Sequence, residues 1–197
     1  MAARFNYPVV LDLHGVNVLV VGAGPVAARK VSGLAAAGAV VRVVAPDVSG
    51  AMEGEVAAGH VEALSRRPFR PSDLEGVRLV VTATGTDTDH EVATAATGAG
   101  IWVNAADRPG DCSFILPAVA RNGSVSIAVS TDGTSPALAQ RLRDEAGGLL
   151  SDDVVALAER LALQRASMKE QGRSTEQHDW SAQIDTVLGA PPTRPIG

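Results

Sequence analysis

Val16–Val21 (VNVLVV), a run of mostly β-branched and aliphatic residues, leads without a break into Gly22-Ala23-Gly24-Pro25-Val26-Ala27. A strand that turns into a helix through two glycines one residue apart has few structural solutions. The first glycine makes the tight turn, the second keeps the backbone open to a pyrophosphate, and a small third residue lets the helix pack against the sheet. The helix N-terminus then offers free N–H groups and partial positive charge to phosphates. Gly22, Ala23, Gly24, Pro25 and Val26 are therefore expected at a dinucleotide cofactor. Asp47 follows Ala27 by 20 residues, just past the second apolar run, where a carboxylate binds ribose hydroxyls. With Pro46 beside it, Asp47 is expected at the adenosine ribose. It would repel a 2′-phosphate, which favours NAD over NADP.

The rest of the first half repeats the strand–helix rhythm. Apolar runs at Val40–Val44, Val77–Val81 and Ile101–Asn104, with a weaker one at Val61–Leu64, read as strands. Pro25–Ala37, Val48–Ala58 and Asp87–Ala99 read as the helices between them. Short continuous apolar strands alternating with helices indicate a parallel sheet covered on both faces. Beyond Asn104 the pattern changes. Phe114–Ala120 and Val125–Ser130 flank Arg121-Asn122-Gly123-Ser124 and read as a hairpin. Thr134-Ser135-Pro136 opens a helix with a hydroxyl cap and proline at its first position. That helix carries Leu138, Leu142 and Ala146 on one face and stops at Gly147-Gly148. A second helix starts at Ser151, a third is expected over Thr175–Leu188, and the proline-rich Ala190–Gly197 reads as a disordered tail. The expected fold is thus α/β, a Rossmann-type parallel sheet followed by a β-hairpin/helix region and a C-terminal helical segment. Its divisions fall at residues 1–112, 113–148 and 149–197.

Composition narrows the function. Of 197 residues only 3 % are aromatic, and 17 basic against 22 acidic residues leave a net charge of −5. A nucleic-acid partner would want a basic face and stacking aromatics, so none is expected. Cys112 is the single cysteine, which excludes an internal disulfide and any Cys-x-x-Cys site. It reads as a small semi-buried residue. His14, His60, His90 and His178 show no ligand spacing, so no metal site is expected. Neither a signal-peptide h-region nor a membrane-length apolar run is visible, so a soluble cytoplasmic protein with no membrane partner is expected. Only Lys30 and Lys169 are lysines; the remaining cations are arginines.

In a doubly wound sheet the chemistry comes from polar residues at the carboxyl ends of the strands. That criterion selects Thr82, Ala83 and Thr84 after the fourth strand, and Asn104 and Asp107 after the fifth; Thr82, Ala83, Thr84 and Asn104 are expected at the cofactor. Asp107 is the acid expected at the mouth of the sheet beside the nicotinamide half, where a general base belongs; an Asp before Arg-Pro-Gly can equally cap a turn. The only tyrosine, Tyr7, precedes the first strand, so the Tyr-x-x-x-Lys pair of short-chain dehydrogenases is absent.

Separated blocks of sequence carry a resemblance. Gly22–Lys30 (GAGPVAARK) is similar to the G-G-G-x-V-A-x-R-K signature of the sirohaem synthase N-terminal family. The likeness continues through Asn104-Ala105-Ala106-Asp107, Ser113–Ala118 (SFILPA) and Ile127–Leu138 (IAVSTDGTSPAL), and covers roughly residues 7–150. Members are precorrin-2 dehydrogenases, some of them also sirohydrochlorin ferrochelatases. The resemblance implies NAD as cofactor, precorrin-2 as substrate and sirohydrochlorin as product, on the route to sirohaem or cobalamin. It also implies a homodimer built from the hairpin region. Asp107 matches the family's catalytic aspartate, and Arg108, Ser113, Phe114, Arg121, Thr131, Gly133, Thr134 and Ser135 are the residues expected at the tetrapyrrole. Arginine grips carboxylates bidentately, so Arg141 and Arg143 join Arg108 and Arg121 as candidates for the substrate's acid side chains. The chain departs from the pattern at Ala23, at Arg108, where many relatives carry a second acid, and at Asp132-Gly133, where Gly-Gly is common. No uroporphyrinogen methyltransferase segment follows, so a stand-alone form is expected. Iron insertion into sirohydrochlorin and a non-catalytic NAD-sensing module remain the alternatives.

Overall fold

A computed structural model describes residues 4–189; the expected tail Ala190–Gly197 lies outside the described residues. One compact unit extends to Leu116 and another begins at Pro117.

In the first unit the strands β1 (Asn17–Val21), β2 (Val40–Val44), β3 (Ala63–Ser65), β4 (Leu79–Thr82) and β5 (Trp102–Ala105) form one sheet in the order β3-β2-β1-β4-β5. Every pairing is parallel. Helices α1 (Pro25–Ala36), α2 (Gly50–Ala57) and α3 (Thr88–Gly98) make the crossovers. Side chains alternate across β1. Val18 and Val20 pack with Ala27, Val31 and Met52 of α1 and α2. Leu19 and Val21 pack with Val92, Ala93 and Ala96 of α3. A strand buried on both faces needs apolar residues at every position, which is why β1 reads as a continuous run. Each fully buried valine stabilises the unit by about 1.5–3 kcal/mol before entropy is counted. The Rossmann-type α/β expectation holds. The weak third strand lies one to two residues later than expected, at Ala63–Ser65 on the sheet edge. There its backbone answers to one neighbour only.

The second unit holds an antiparallel hairpin, β6 (Ala118–Asn122) and β7 (Val125–Val129), with α4 (Pro136–Gly147), α5 (Asp152–Glu170) and α6 (Ser181–Leu188). Three boundaries shift from expectation. The first hairpin strand starts at Ala118 rather than Phe114. Phe114 packs on the Rossmann core and its carbonyl accepts from Asn104 Nδ2 at 3.1 Å, so this stretch is committed to the first unit. The hairpin turn is Gly123-Ser124, because Asn122 still pairs with Val125. Gly123, at φ 54°, occupies the first central position that a two-residue turn of this hand requires. Asn122 instead donates to Leu150 O at 2.9 Å and Asp152 Oδ1 at 3.0 Å. The last helix starts at Ser181, not Thr175. Trp180 Nε1 bonds back to the Thr175 carbonyl and Asp179 accepts the Ser181 N–H, holding the segment before it in a turn. The Ser135 hydroxyl caps α4 as expected, accepting from Leu138 N, and the Ser151 hydroxyl caps α5 in the same way, accepting from Val154 N. Among the described residues no helix is long and apolar enough to cross a membrane.

Candidate active site

The two motif glycines answer to different demands. Gly22 has φ 103°, and a Cβ there would lie 2.6 Å from the Ala83 carbonyl oxygen. The protein's own backbone therefore excludes any side chain at Gly22. Gly24 caps α1 with an ordinary φ of −75°, and a Cβ there would meet nothing within 4 Å. Packing does not require this glycine, whereas a phosphate lying against the backbone does. The N-terminus of α1 has no side-chain cap and no acid in its first turn, and it opens with Pro25. The amides beyond it are unpartnered donors of the kind that bind anions. These features fit a dinucleotide. Ala23 is buried, while Pro25 and Val26 are exposed at the loop's rim. Pro46 and Asp47 are exposed beyond the end of β2, and their loop is tied to the glycine turn by Ser49 N donating to Ala23 O at 3.0 Å.

Thr82, Ala83 and Thr84 end β4 beside that turn, but they are organised by a residue the sequence reading passed over. Asp89, fully buried on α3, accepts from the Thr82 hydroxyl, from Thr84 N at 2.9 Å and from Gly85 N at 2.9 Å. The Thr82 side chain is thus turned inward to build the loop rather than outward to a ligand. An acid two residues into the helix after a Thr-x-Thr-Gly turn was the available signal. Its meaning depended on knowing that the carboxylate faces back.

Asp107 stands on the turn after β5. Ala106 N donates to Thr82 O at 2.8 Å and Arg108 N to Ala105 O at 3.3 Å, which places Asp107 at the apex with φ 58°. Non-glycine residues adopt this left-handed conformation at a cost, and aspartate tolerates it better than most. Its side chain is exposed, with no hydrogen-bond partner among the described residues. Val21, Thr82 and Ala105 are in register across β1, β4 and β5. The Asp107 turn therefore lies about 10 Å from the glycine turn along the carboxyl edge of the sheet.

Several contacts hold the Asp107 turn. Cys112 is buried more deeply than expected, taking the Ala105 N–H at 3.2 Å and donating to Ala105 O at 3.3 Å. Burial pushes its thiol above the usual 9.0, which keeps it protonated and inert. Asn104, also buried, reaches the Phe114 carbonyl, and Ser113 bonds Val103 through both its N–H (2.7 Å) and its Oγ (3.2 Å). Arg108 pairs with exposed Asp87 at 3.1 Å, and His90 with Asp111 at 2.9 Å. Lys30, half-buried on α1, feels the charges of Asp107 and Cys112; burial and then neighbouring Arg29 push its ammonium below the usual 10.5. Among the described residues no three His, Cys, Asp or Glu side chains gather as a metal site.

The remaining expected substrate residues lie in the second unit. Thr131, Gly133, Thr134 and Ser135 form one loop ahead of α4. Thr134 Oγ1 donates to Thr131 O at 2.5 Å, Thr131 Oγ1 to Ser135 O at 3.0 Å, and Gly133 sits at φ 75°. Arg121 is on β6, exposed; Arg141 pairs with Glu145 and Arg143 with Asp144 along α4.

A family model described as "Putative NAD(P)-binding" matches residues 9–118, and one described as "Sirohaem biosynthesis protein central" matches residues 122–145. The chain belongs to the sirohaem synthase N-terminal family. Siroheme synthase 2 of Halorhodospira halophila is 37 % identical over 147 residues, covering 74 % of this chain and 30 % of that protein. Siroheme synthase of Photorhabdus laumondii is 34 % identical over 171 residues, 86 % of this chain and 36 % of its own. The chain spans about a third of the length of these sirohaem synthases. A solved structure of SirC, precorrin-2 dehydrogenase, superposes with a TM-score of 0.68 at 29 % identity, covering 93 % of this chain and 94 % of that one. Within this sirohaem synthase family the first unit is the part that takes a nicotinamide cofactor.

Proposed function

We propose that the chain oxidises precorrin-2 to sirohydrochlorin with NAD+, and that Asp107 is the general base. The observation that carries the reading is Asp107 itself. It is an exposed carboxylate on a left-handed turn, held on the same sheet edge as a glycine turn that fits a dinucleotide. The structural likeness to SirC supports the substrate. The Gly22–Val26 turn and the α1 amides would hold the pyrophosphate, and Asp47 the ribose, where its charge disfavours a 2′-phosphate. When bound, NAD+ supplies the hydride acceptor. Oxidation removes a hydride and a proton from the macrocycle, and Asp107 Oδ takes the proton. Arg108 is held by a solvent-exposed pair of small worth, so it can exchange Asp87 for a substrate carboxylate. Ser113 and Phe114 of the same unit are proposed to contact the tetrapyrrole with Arg108, and Arg121, Thr131, Gly133, Thr134, Ser135, Arg141 and Arg143 are the second unit's proposed substrate residues.

Anaerobic mixing of the protein with NAD+ and precorrin-2 should yield NADH and the sirohydrochlorin spectrum in equal amounts. NADP+ should serve poorly. Folded protein that binds NAD+ and tetrapyrrole without turnover would defeat the reading. Binding of NAD+ with no tetrapyrrole quenching of Trp102 and Trp180 would instead identify an NAD-sensing module. Sirohydrochlorin and Fe2+ offered to the same preparation measure metal insertion against the uncatalysed rate. The exposed Leu138 and Leu142 of α4 support pairing with a second copy, which the mass in solution tests.

A further inference from the structure

We infer that Arg4 is a positioning residue for Asp107: its guanidinium clamps the outer carbonyls of the turn that presents the carboxylate. The inference rests on the reading of Asp107 as the base. Arg4 Nη1 donates to Pro109 O at 3.0 Å, and Arg4 Nη2 donates to Gly110 O at 3.2 Å and Cys112 O at 2.9 Å. These three acceptors belong to the single short helical turn (Pro109–Asp111) and the residue after it, directly following Arg108.

The turn needs holding from this side. Its inner half is bonded to the sheet: Ala106 N reaches Thr82 O, Ser113 N reaches Val103 O, and the Cys112 thiol donates to the Ala105 and Arg108 carbonyls. Its outer half carries the Gly110 and Cys112 carbonyls, which have no partner within the turn, and the Pro109 carbonyl, whose partner there is Cys112 N at 3.3 Å. Asp107 sits between the halves at φ 58°, a conformation that persists only while its surroundings over-determine it. A planar guanidinium with several donors in fixed geometry can bridge neighbouring carbonyls as no lysine ammonium can. The bonds close a loop of more than a hundred residues, from the segment before β1 to the end of the site. Such separation is not the signature of a local turn. It ties the segment ahead of β1 to the strand end that bears Asp107.

The test uses Arg4→Gln and Arg4→Lys in the full chain, with two independent readouts. Amide hydrogen exchange on the ligand-free protein should quicken at residues 108–113 in both variants, while β1 and α1 amides keep their protection. Turnover of precorrin-2 at saturating NAD+ should fall about tenfold, with NADH affinity changed by less than about twofold, since the glycine turn is untouched. Unchanged exchange at 108–113 would overturn the clamp. Faster exchange with full turnover would overturn its role in positioning. A fall in NADH affinity matching the fall in turnover would mean a general loosening of the unit and would also overturn it. If the wild-type chain shows no precorrin-2 oxidation, the reading of Asp107 fails and the positioning role falls with it; exchange alone then decides the clamp.

Discussion

In the unit that ends at Leu116, β1, β4 and β5 bury Val18, Leu19, Val20, Val80, Val81 and Val103 almost completely. In the unit that starts at Pro117, only Ala139, Leu157 and Met168 are buried apolar residues among those described, while Leu138, Leu142, Leu149, Leu163 and Leu188 stay exposed. The difference follows from architecture. A parallel sheet between helices seals both of its faces within one chain. A two-stranded hairpin with a few helices has too little interior for its aliphatic side chains. The first unit is built to be complete and to present strand ends. The second is built with apolar surface left for something else.

The comparison can be broken at several points. The largest effect is expected at Asp107. Asp107→Asn should lower precorrin-2 oxidation by about 10²-fold or more while NAD+ binding survives, because only the proton transfer is removed. Turnover within a few-fold of wild type would assign the chemistry elsewhere, including to the second unit. Next come the two glycines. Gly22→Ala drives a Cβ into the Ala83 carbonyl at a positive φ and should cost about 3 kcal/mol of stability, read from denaturant unfolding. Gly24→Ala meets open space and should change stability by less than about 0.5 kcal/mol yet weaken NAD+ binding. If both variants behave alike, the distinction between a packing glycine and a ligand glycine is lost.

In the second unit, Leu142→Glu should turn a dimer into a monomer by analytical ultracentrifugation without lowering the melting temperature of the Rossmann unit. A mass equal to one chain for the wild type would remove the explanation offered for its exposed leucines. Ser135→Ala removes the hydroxyl that accepts from Leu138 N and should cost about 1 kcal/mol, confined to α4 in hydrogen exchange. The smallest effect is one of pH. Folding holds Lys30 below its usual 10.5, so in the window between the lowered value and 10.5 the folded chain binds fewer protons than the unfolded chain. Wild-type stability should therefore gain from rising pH across that window. Lys30→Met should lack this gain, and parallel pH curves for the two proteins would count against the burial of Lys30.

What was legible in the sequence was largely periodic and local. The glycine turn, the strands of the sheet, the cap at Ser135, the helix start at Ser151 and the prominence of Asp107 all depend on residues within a turn or two of one another. The misplaced boundaries have a common cause in side-chain partners that the apolar pattern does not show. Phe114 left the hairpin because Asn104 and the Rossmann core hold it, and Trp180 delayed α6 by bonding back to Thr175. Thr82 looked like a cofactor contact because hydroxyls at strand ends often are, but buried Asp89 had already engaged it.

By itself, the sequence determined a parallel sheet with a dinucleotide turn and an acid at its mouth, since strand periodicity, glycine φ and strand-end position are set by neighbouring residues. Tertiary structure decided that packing excludes a side chain at Gly22 and leaves open space at Gly24. It also decided that Asp89 shapes the loop after β4, that Lys30 shares the charge environment of Asp107, and that Arg4 reaches the Asp107 turn. Gly22, Lys30 and Arg4 meet their partners from far along the chain, which no local pattern encodes, and Asp89 turns its carboxylate back onto a nearby loop in a direction that spacing alone does not give.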